Sequence, residues 1–194
     1  MRGITLVVAL WAGVLAPAWA EQEKALFAGG CFWCMEAAFQ ERQGVLDVVS
    51  GFTGGALANP SYAGNHSGHF EAIEVTFDPA VVSYRQLLDL YWVNIDPLDN
   101  SGQFCDKGAS YRSAIFAVDE SQLLQARASL AAVEQRFSPA PVYTEIRPAG
   151  RFWPVEEAHQ DYYRKNPLRY KYYRWNCGRD QRLQQLWGAG AAVH

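Results

Sequence analysis

The sequence predicts one α+β domain, a mixed sheet packed with two or three helices and followed by a long, irregular C-terminal segment. Three observations carry this. Residues 21–194 number 174, enough for one domain with a real core and too few for two ordinary ones. Short apolar or alternating runs recur among stretches of helical composition. Past residue 151 neither period persists, because aromatics and arginines interleave and Pro154 and Pro167 interrupt.

The first twenty residues, MRGITLVVALWAGVLAPAWA, set one arginine before an apolar run of about a dozen residues and end in Ala18-Trp19-Ala20, the pattern of a secretory signal peptide cleaved after Ala20. The competing reading, a membrane anchor, needs roughly 20 apolar residues, and Pro17 breaks the run. Residues 24–28 read as a short strand, and Gly29-Gly30 lets the chain turn sharply into the helical stretch CFWCMEAAFQER, which puts Cys31 at a helix N-terminus. Residues 45–52 are β-branched enough for a second strand; the Gly- and Pro-containing stretch after them is a loop. Residues 69–77 alternate as a strand, Ser83 caps the amphipathic helix YRQLLDLYWVN, and residues 94–110 form a long loop. A strand at 112–118, an Ala- and Leu-rich helix at 120–137 and a strand at 142–147 follow, and beyond them only residues 182–187 are clearly helical.

Removing the leader takes away Arg2 and no acid, so the formal charge moves from −3 to −4. So mild an acidic balance offers neither nucleic acid nor an anionic membrane an electrostatic footprint, and the interleaved YYRKNPLRYKYYRWNCGR is read as packing over the domain. Four cysteines, Cys31, Cys34, Cys105 and Cys177, would stand in a compartment where disulfides persist. Four thiols allow three complete pairings, and the sequence does not choose among them. Cys31 and Cys34 lie too close together to staple much chain, whereas C-x-x-C suits reversible redox chemistry.

At AGGCFWCMEAAF (28–39) the chain resembles the active-site segment of the A-type peptide methionine sulfoxide reductases. Further stretches similar to that family follow in order: NPSY (59–62), GHFEAIEVTFDP (68–79), QFCDKGASYRSAIF (103–116) and EEAHQDYYRKNP (156–167). Together they span nearly all of the chain after the leader. The chemistry agrees with the residues. Reducing a sulfoxide needs a nucleophile for sulfur, an acid to make oxygen a leaving group, and an apolar pocket for the thioether methyl. Cys31, beside the orphan N–H groups and partial positive charge of a helix start, is the nucleophile. The resemblance implies that Glu71 is the acid, which requires burial to raise its pKa. Glu74, expected on the same strand face, has the same composition and an ordinary surface role; register separates the two.

The resemblance further implies that Tyr62 and Tyr111 hydrogen-bond the sulfoxide oxygen, that Asp106 helps hold the site together, and that Phe32 and Trp33 form the methyl pocket. Between Tyr62 and Glu71 the chain, with AGNHSGHF, is about three residues shorter than the family pattern, so the placement of Tyr62 rests on less than that of Glu71. His66 and His69, spaced H-x-x-H, suit surface or supporting roles better than zinc ligation. Among thiols that could resolve a Cys31 sulfenic acid, Cys177 is favoured because a late segment bearing Asn166-Pro167 and Gly178 could carry it to Cys31; Cys34 and Cys105 are the alternatives.

The expected activity is reduction of methionine S-sulfoxide, free or in proteins, with an external thioredoxin-like dithiol as reductant. It calls for no organic cofactor and no metal, no nucleic acid and no membrane after leader cleavage, and the chain is expected to act as an exported, periplasmic monomer. Two rivals make different demands. A thioredoxin-like oxidoreductase would use Cys31 and Cys34 without Glu71, and a non-catalytic secreted domain would use its cysteines as bridges or zinc ligands.

Overall fold

Both faces of the first strand are apolar, and the architecture follows from that. The computed structural model describes residues 21–188, so the expected leader lies outside the described residues. In chain order the elements are β1 (Glu23–Gly29), α1 (Phe32–Phe39), β2 (Val45–Thr53), β3 (Phe70–Phe77), α2 (Tyr84–Trp92), β4 (Gly102–Gln103), β5 (Asp106–Lys107), β6 (Ser113–Ala117), α3 (Glu120–Phe137), β7 (Glu145–Pro148), β8 (Trp153–Pro154), α4 (Tyr162–Lys165), α5 (Pro167–Asn176) and α6 (Arg179–Trp187). Side chains alternate across a strand. In β1, Ala25 and Phe27 join the main core, while Leu26 and Ala28 join a smaller cluster on the other side. A strand buried twice belongs inside a sheet, and the order β7-β6-β1-β3-β2-β8 puts it there. All pairings are antiparallel except β6 with β7, so the sheet is mixed and the fold is α+β.

Helices α1, α2 and α3 contribute to the main core, where Phe27, Phe39, Phe77 and Tyr91 are fully buried. Two polar bonds fix α2: the Tyr91 hydroxyl donates to the Ala28 carbonyl at 2.9 Å and Trp92 Nε1 donates to Ser129 Oγ at 3.0 Å. Ser83 caps α2 in a reciprocal capping box with Gln86, and Asp119 caps α3 by accepting from the Gln122 N–H at 2.7 Å.

The structure departs from the sequence reading in three places. The expected loop at 94–110 contains the β4–β5 hairpin, with Phe104 and Cys105 at its tip. The C-terminal segment is not irregular: α4, α5 and α6 lie in it, so the helices outnumber the two or three expected. Helix α5 starts on Pro167, which fits the first helical position because its missing N–H would be unbonded anyway. Its inward residues are Tyr170 and Arg174, so no aliphatic period betrays it. Third, Glu74 does not share the face of Glu71. Register pairs Glu74 with Leu26 on the far side of the sheet, where its carboxylate takes Lys24 Nζ at 2.6 Å, while Glu71 points with Ile73 and Val75 toward α1.

The turn from β1 into α1 is tight. Gly30 has φ +83°, and a Cβ there would lie 2.5 Å from Gln103 Cβ. Arg179, 2% exposed, closes the turn from the C-terminal side by donating to the Asn94 carbonyl at 2.7 Å and, more weakly, to the Gly29 carbonyl at 3.4 Å. Gly30→Ala is therefore expected to lower the unfolding free energy by about 1–3 kcal/mol, from left-handed strain and the clash together. Urea denaturation measures it, and wild-type stability in the variant would refute the packing described.

Candidate active site

Cys31 is the N-cap of α1, and its side chain caps nothing. The orphan N–H groups of that first turn are thus open to other acceptors. One is used: the Phe32 N–H donates to Glu71 Oε2 at 3.1 Å, tying the start of α1 to β3. Glu71 is 2% exposed. Burial pushes its pKa up to about 8, with the Asp106 and Cys34 charges adding to the rise and the Phe32 and Tyr111 hydrogen bonds opposing it. At neutral pH the group is a carboxylic acid.

One turn along α1, Cys34 lies against Cys31, and the two buried thiols share a hydrogen bond. That bond pulls Cys34 down to about 6 against its own burial, with Arg179, Arg174 and the Tyr170 hydroxyl also favouring its thiolate. Cys31 moves the other way, pushed up by burial, by its bond and charge contact with Cys34 and by Glu71. The pair titrates as a unit. The two sulfurs share one proton across that bond, and the arginines favour charge on the Cys34 side. The sequence led instead to a thiolate on Cys31 through the helix start; dry surroundings and the neighbouring carboxyl outweigh that contribution here.

Aromatic rings wall the site. Phe32 is fully buried and meets Phe52 edge-on at 5.8 Å and Tyr62 at 6.0 Å. Trp33 stacks on Tyr162 at 3.7 Å, with His159 parallel to it at 5.7 Å, and His159 lies 4.0 Å from Tyr62. Tyr62 is thus brought to the site despite the shortened loop, with its N–H directed at the Glu156 carboxylate. Burial raises the phenols of Tyr62, to about 12, and Tyr111, with the Glu71 charge next, so both stay protonated donors. Asp106 accepts from the Tyr173 hydroxyl at 2.5 Å, and Tyr173 is also hydrogen-bonded to Cys31.

A buried acid, a thiol pair sharing one charge and phenol donors in an aromatic pocket are what thiol reduction of a small polar oxide requires. The family profile described as Peptide methionine sulfoxide reductase matches residues 23–191. The chain belongs to that family. It is 49% identical over 172 residues to the peptide methionine sulfoxide reductase MsrA of Bacillus licheniformis, covering 87% of this chain and 95% of that one. Its fold is similar to methionine sulfoxide reductase A of Corynebacterium diphtheriae, with TM-score 0.71, 31% identity and 78% of each chain covered. It is also similar to reduced Mxr1 of Saccharomyces cerevisiae, with TM-score 0.69, 26% identity and coverage of 77% and 88%; Mxr1 has also been solved in complex with Trx2.

Within this family member one sequence expectation needs restating. Cys177, favoured as the thiol free to reach Cys31, is bonded to Cys105, so in this structure it has no thiol; the thiol beside Cys31 is Cys34. His69 is buried with both ring nitrogens engaged, one accepting from the Gly55 N–H at 3.3 Å and the other donating to the Leu57 carbonyl at 2.8 Å, while His66 bonds the Ser61 carbonyl. Sequence reasoning missed His159, Tyr162, Tyr170, Tyr173, Arg174 and Arg179. The first two sit in the quoted stretch EEAHQDYYRKNP, whose internal contacts no spacing rule reveals. The others come from a segment read as mere packing, which instead delivers two cations behind Cys34. A cleft of about 490 Å³ opens behind α1 at Tyr170 and Arg174, on the Cys34 side of the site and away from Glu71.

Ultraviolet thiolate absorbance of enzyme with the Cys105–Cys177 bridge intact is expected to show one thiolate forming with a midpoint near 6. Cys34→Ser should move that transition upward, because the remaining Cys31 thiol is dry and lies beside Glu71. A first midpoint in the ordinary thiol range would refute the shared charge.

Proposed function

We propose that the protein reduces methionine S-sulfoxide, free or in proteins, to methionine, with Cys31 as nucleophile and Glu71 as acid. The single observation that carries this is the hydrogen bond from the Phe32 N–H to the buried, protonated Glu71 beside Cys31. Family membership supports the same reading.

As the sulfoxide enters, the Cys31 proton passes along the shared bond to Cys34, and the anion now on Cys31 attacks sulfur. Glu71 gives its proton to the sulfoxide oxygen, with Tyr62 and Tyr111 as donors to that oxygen. The oxygen bonds to Cys31 Sγ as the substrate's sulfur–oxygen bond and the transient bond from Cys31 to its sulfur break, methionine leaves, and Cys31 is left as sulfenic acid, two electrons having passed from the cysteine to the substrate. Phe32 and Trp33 line the pocket for the methyl. Cys34 attacks the sulfenic sulfur, releasing water and leaving a Cys31–Cys34 disulfide. Cys34 takes this role in place of Cys177 because it is the thiol in contact. Asp106 positions Tyr173 against Cys31. An external thioredoxin-like dithiol restores the thiols, a role suggested by the yeast relative's complex with Trx2.

Export to the periplasm, with a chain beginning at Glu21, rests on the N-terminal pattern alone. No helix among the described residues is long and apolar enough to cross a membrane. N-terminal sequencing of the secreted product should begin at Glu21; a cell-associated chain retaining Met1 would refute export.

The rate of the first turnover should follow a bell in pH. The thiol pair is reactive when deprotonated, so the rate rises through about 6. Glu71 is reactive when protonated, so the rate falls through about 8. Glu71→Gln should slow the step by about 10²–10⁴-fold and abolish the falling limb. Stopped-flow measurement decides, and a falling limb that survives the substitution would remove Glu71 from the role. Cys31→Ser should release no methionine in a single turnover.

A further inference from the structure

Behind α1 lies the cleft of about 490 Å³ that the proposed reaction leaves unused. Its volume falls in the range of small-molecule sites, roughly 300–1,000 Å³. Ala37, Tyr170 and Arg174, all buried, form its floor. Ala37 and Tyr170 belong to the same apolar cluster as Cys34, so the floor of the cleft packs against that thiol. Rings stand at the rim: Tyr163, with its centroid 6.0 Å from that of Tyr170, and Trp175, 74% exposed.

The polar groups around the cleft are not equally engaged. Arg174 is held by Asp180, which accepts from its Nε at 3.0 and 3.1 Å, and Arg174 also donates to the Tyr170 hydroxyl at 3.3 Å. Glu41 takes Arg164 at 3.2 Å. Both acids that line the cleft are therefore neutralised. Two donors are left over. Lys171, exposed on α5, makes no ion pair or hydrogen bond among the described residues, and the buried hydroxyl oxygen of Tyr163 has no partner. Burial raises the Tyr163 phenol, so it stays a donor, and an unpaired buried hydroxyl costs free energy until an acceptor arrives. An ammonium and a phenol without acceptors, set among rings, suit a flat apolar body that carries a negative acceptor.

We propose that the cleft is a second ligand site, for a small aromatic carboxylate, whose occupant slows reduction by acting through Arg174 on Cys34. The ring of the ligand lies among Tyr163, Tyr170 and Trp175, and its carboxylate meets Lys171 and the Tyr163 hydroxyl. The effect on turnover rests on the proposed reaction; binding itself does not. Charged or titratable groups facing Cys34 are Cys31, Glu71, Tyr170, Tyr173, Arg174 and Arg179. Of these, only Tyr170 and Arg174 also line the cleft. A carboxylate set behind Arg174 opposes the field with which that arginine favours the Cys34 thiolate, so fewer chains hold the anion that the attack needs. Glu71, Phe32 and Trp33 do not line the cleft, so the ligand and methionine sulfoxide bind together.

Calorimetric titration of bridge-intact enzyme with indole-3-propionate, and with the uncharged indole-3-propionamide as control, tests the site. One acid per chain is expected, bound about two- to fivefold more tightly than the amide, as for an exposed ion pair. Lys171→Gln should erase that preference, and Tyr163→Phe should weaken the acid by about two- to tenfold, as for one lost hydrogen bond. Without the acid, both variants should still form methionine in a single turnover at the wild-type rate. Saturating acid should lift the thiolate midpoint above about 6 and slow the first turnover, and excess methionine sulfoxide should not displace it. No binding at millimolar acid, equal affinity for acid and amide, or affinity unchanged in both variants would overturn the site. Displacement by methionine sulfoxide would put the acid in the aromatic pocket beside Cys31 and overturn it as well. Binding with an unmoved midpoint would overturn the action on Cys34. Wild-type enzyme that forms no methionine even without the acid would sink the reductase reading instead, which none of the other outcomes touches.

Discussion

A donor on a helix and an acceptor on a strand, the Phe32 N–H and Glu71 Oε2, hold the chemistry in place. The helix start leaves N–H groups unpaired, and a buried carboxyl needs a partner; each satisfies the other. Because a protonated carboxyl has one carbonyl oxygen and one hydroxyl, occupying the first with Phe32 leaves the second free to donate. The bond also fixes distance. Phe32 follows Cys31, so whatever holds Phe32 on Glu71 holds Cys31 beside that carboxyl. The Gly29-Gly30 turn, the capped α2 beneath it and Arg179 on the Gly29 carbonyl all serve to keep that one approach in register.

Charge placement follows from the same dryness. A site that keeps Glu71 neutral also disfavours a thiolate, so the anion needs cations close by. Arg174 and Arg179, 4% and 2% exposed, supply them on the Cys34 side. Arg174 is itself held by Asp180, and Arg179 lies with its guanidinium 4.4 Å over the Phe104 ring, so neither is free to drift toward solvent. The two thiols then divide the work. The arginines favour charge on Cys34, and in the proposed reaction Cys31 acquires it only when the proton crosses the shared bond.

What was legible in the sequence tracks what is local. The Ser83 and Asp119 caps and the turn at Gly29-Gly30 are chain-neighbour effects, and α3 begins and ends where composition places it. Cys31, Glu71, Tyr62, Tyr111 and Asp106 could be named because they sit in continuous, recognisable stretches; the structure gathers them around one pocket. The failures are long-range. Which face Glu74 occupies depends on register with β1, and an alternating strand counted one residue out reverses it. Helix α5 was missed because its buried side is Tyr170 and Arg174, polar residues buried for the sake of Cys34. The Cys105–Cys177 pairing joins residues 72 apart and depends on where α5 docks, which no spacing encodes.

A buried thiol pair creates a conflict that the fold has to meet. Excluding water raises Glu71 into the range of a useful acid and protects a sulfenic acid from side reactions, yet the same walls exclude any protein that must reach Cys31 or Cys34 to reduce them. Opening the aromatic wall would admit a reductant, but it would also rehydrate Glu71 and drop its pKa toward that of an ordinary carboxylate. The Cys105–Cys177 bridge lies just outside that wall. Its outer sulfur lies on an exposed hairpin tip and its inner sulfur lies one helical turn from Tyr173. Asp106 links the two environments because one carboxylate serves both, accepting from Tyr173 on one side and facing both bridge sulfurs on the other.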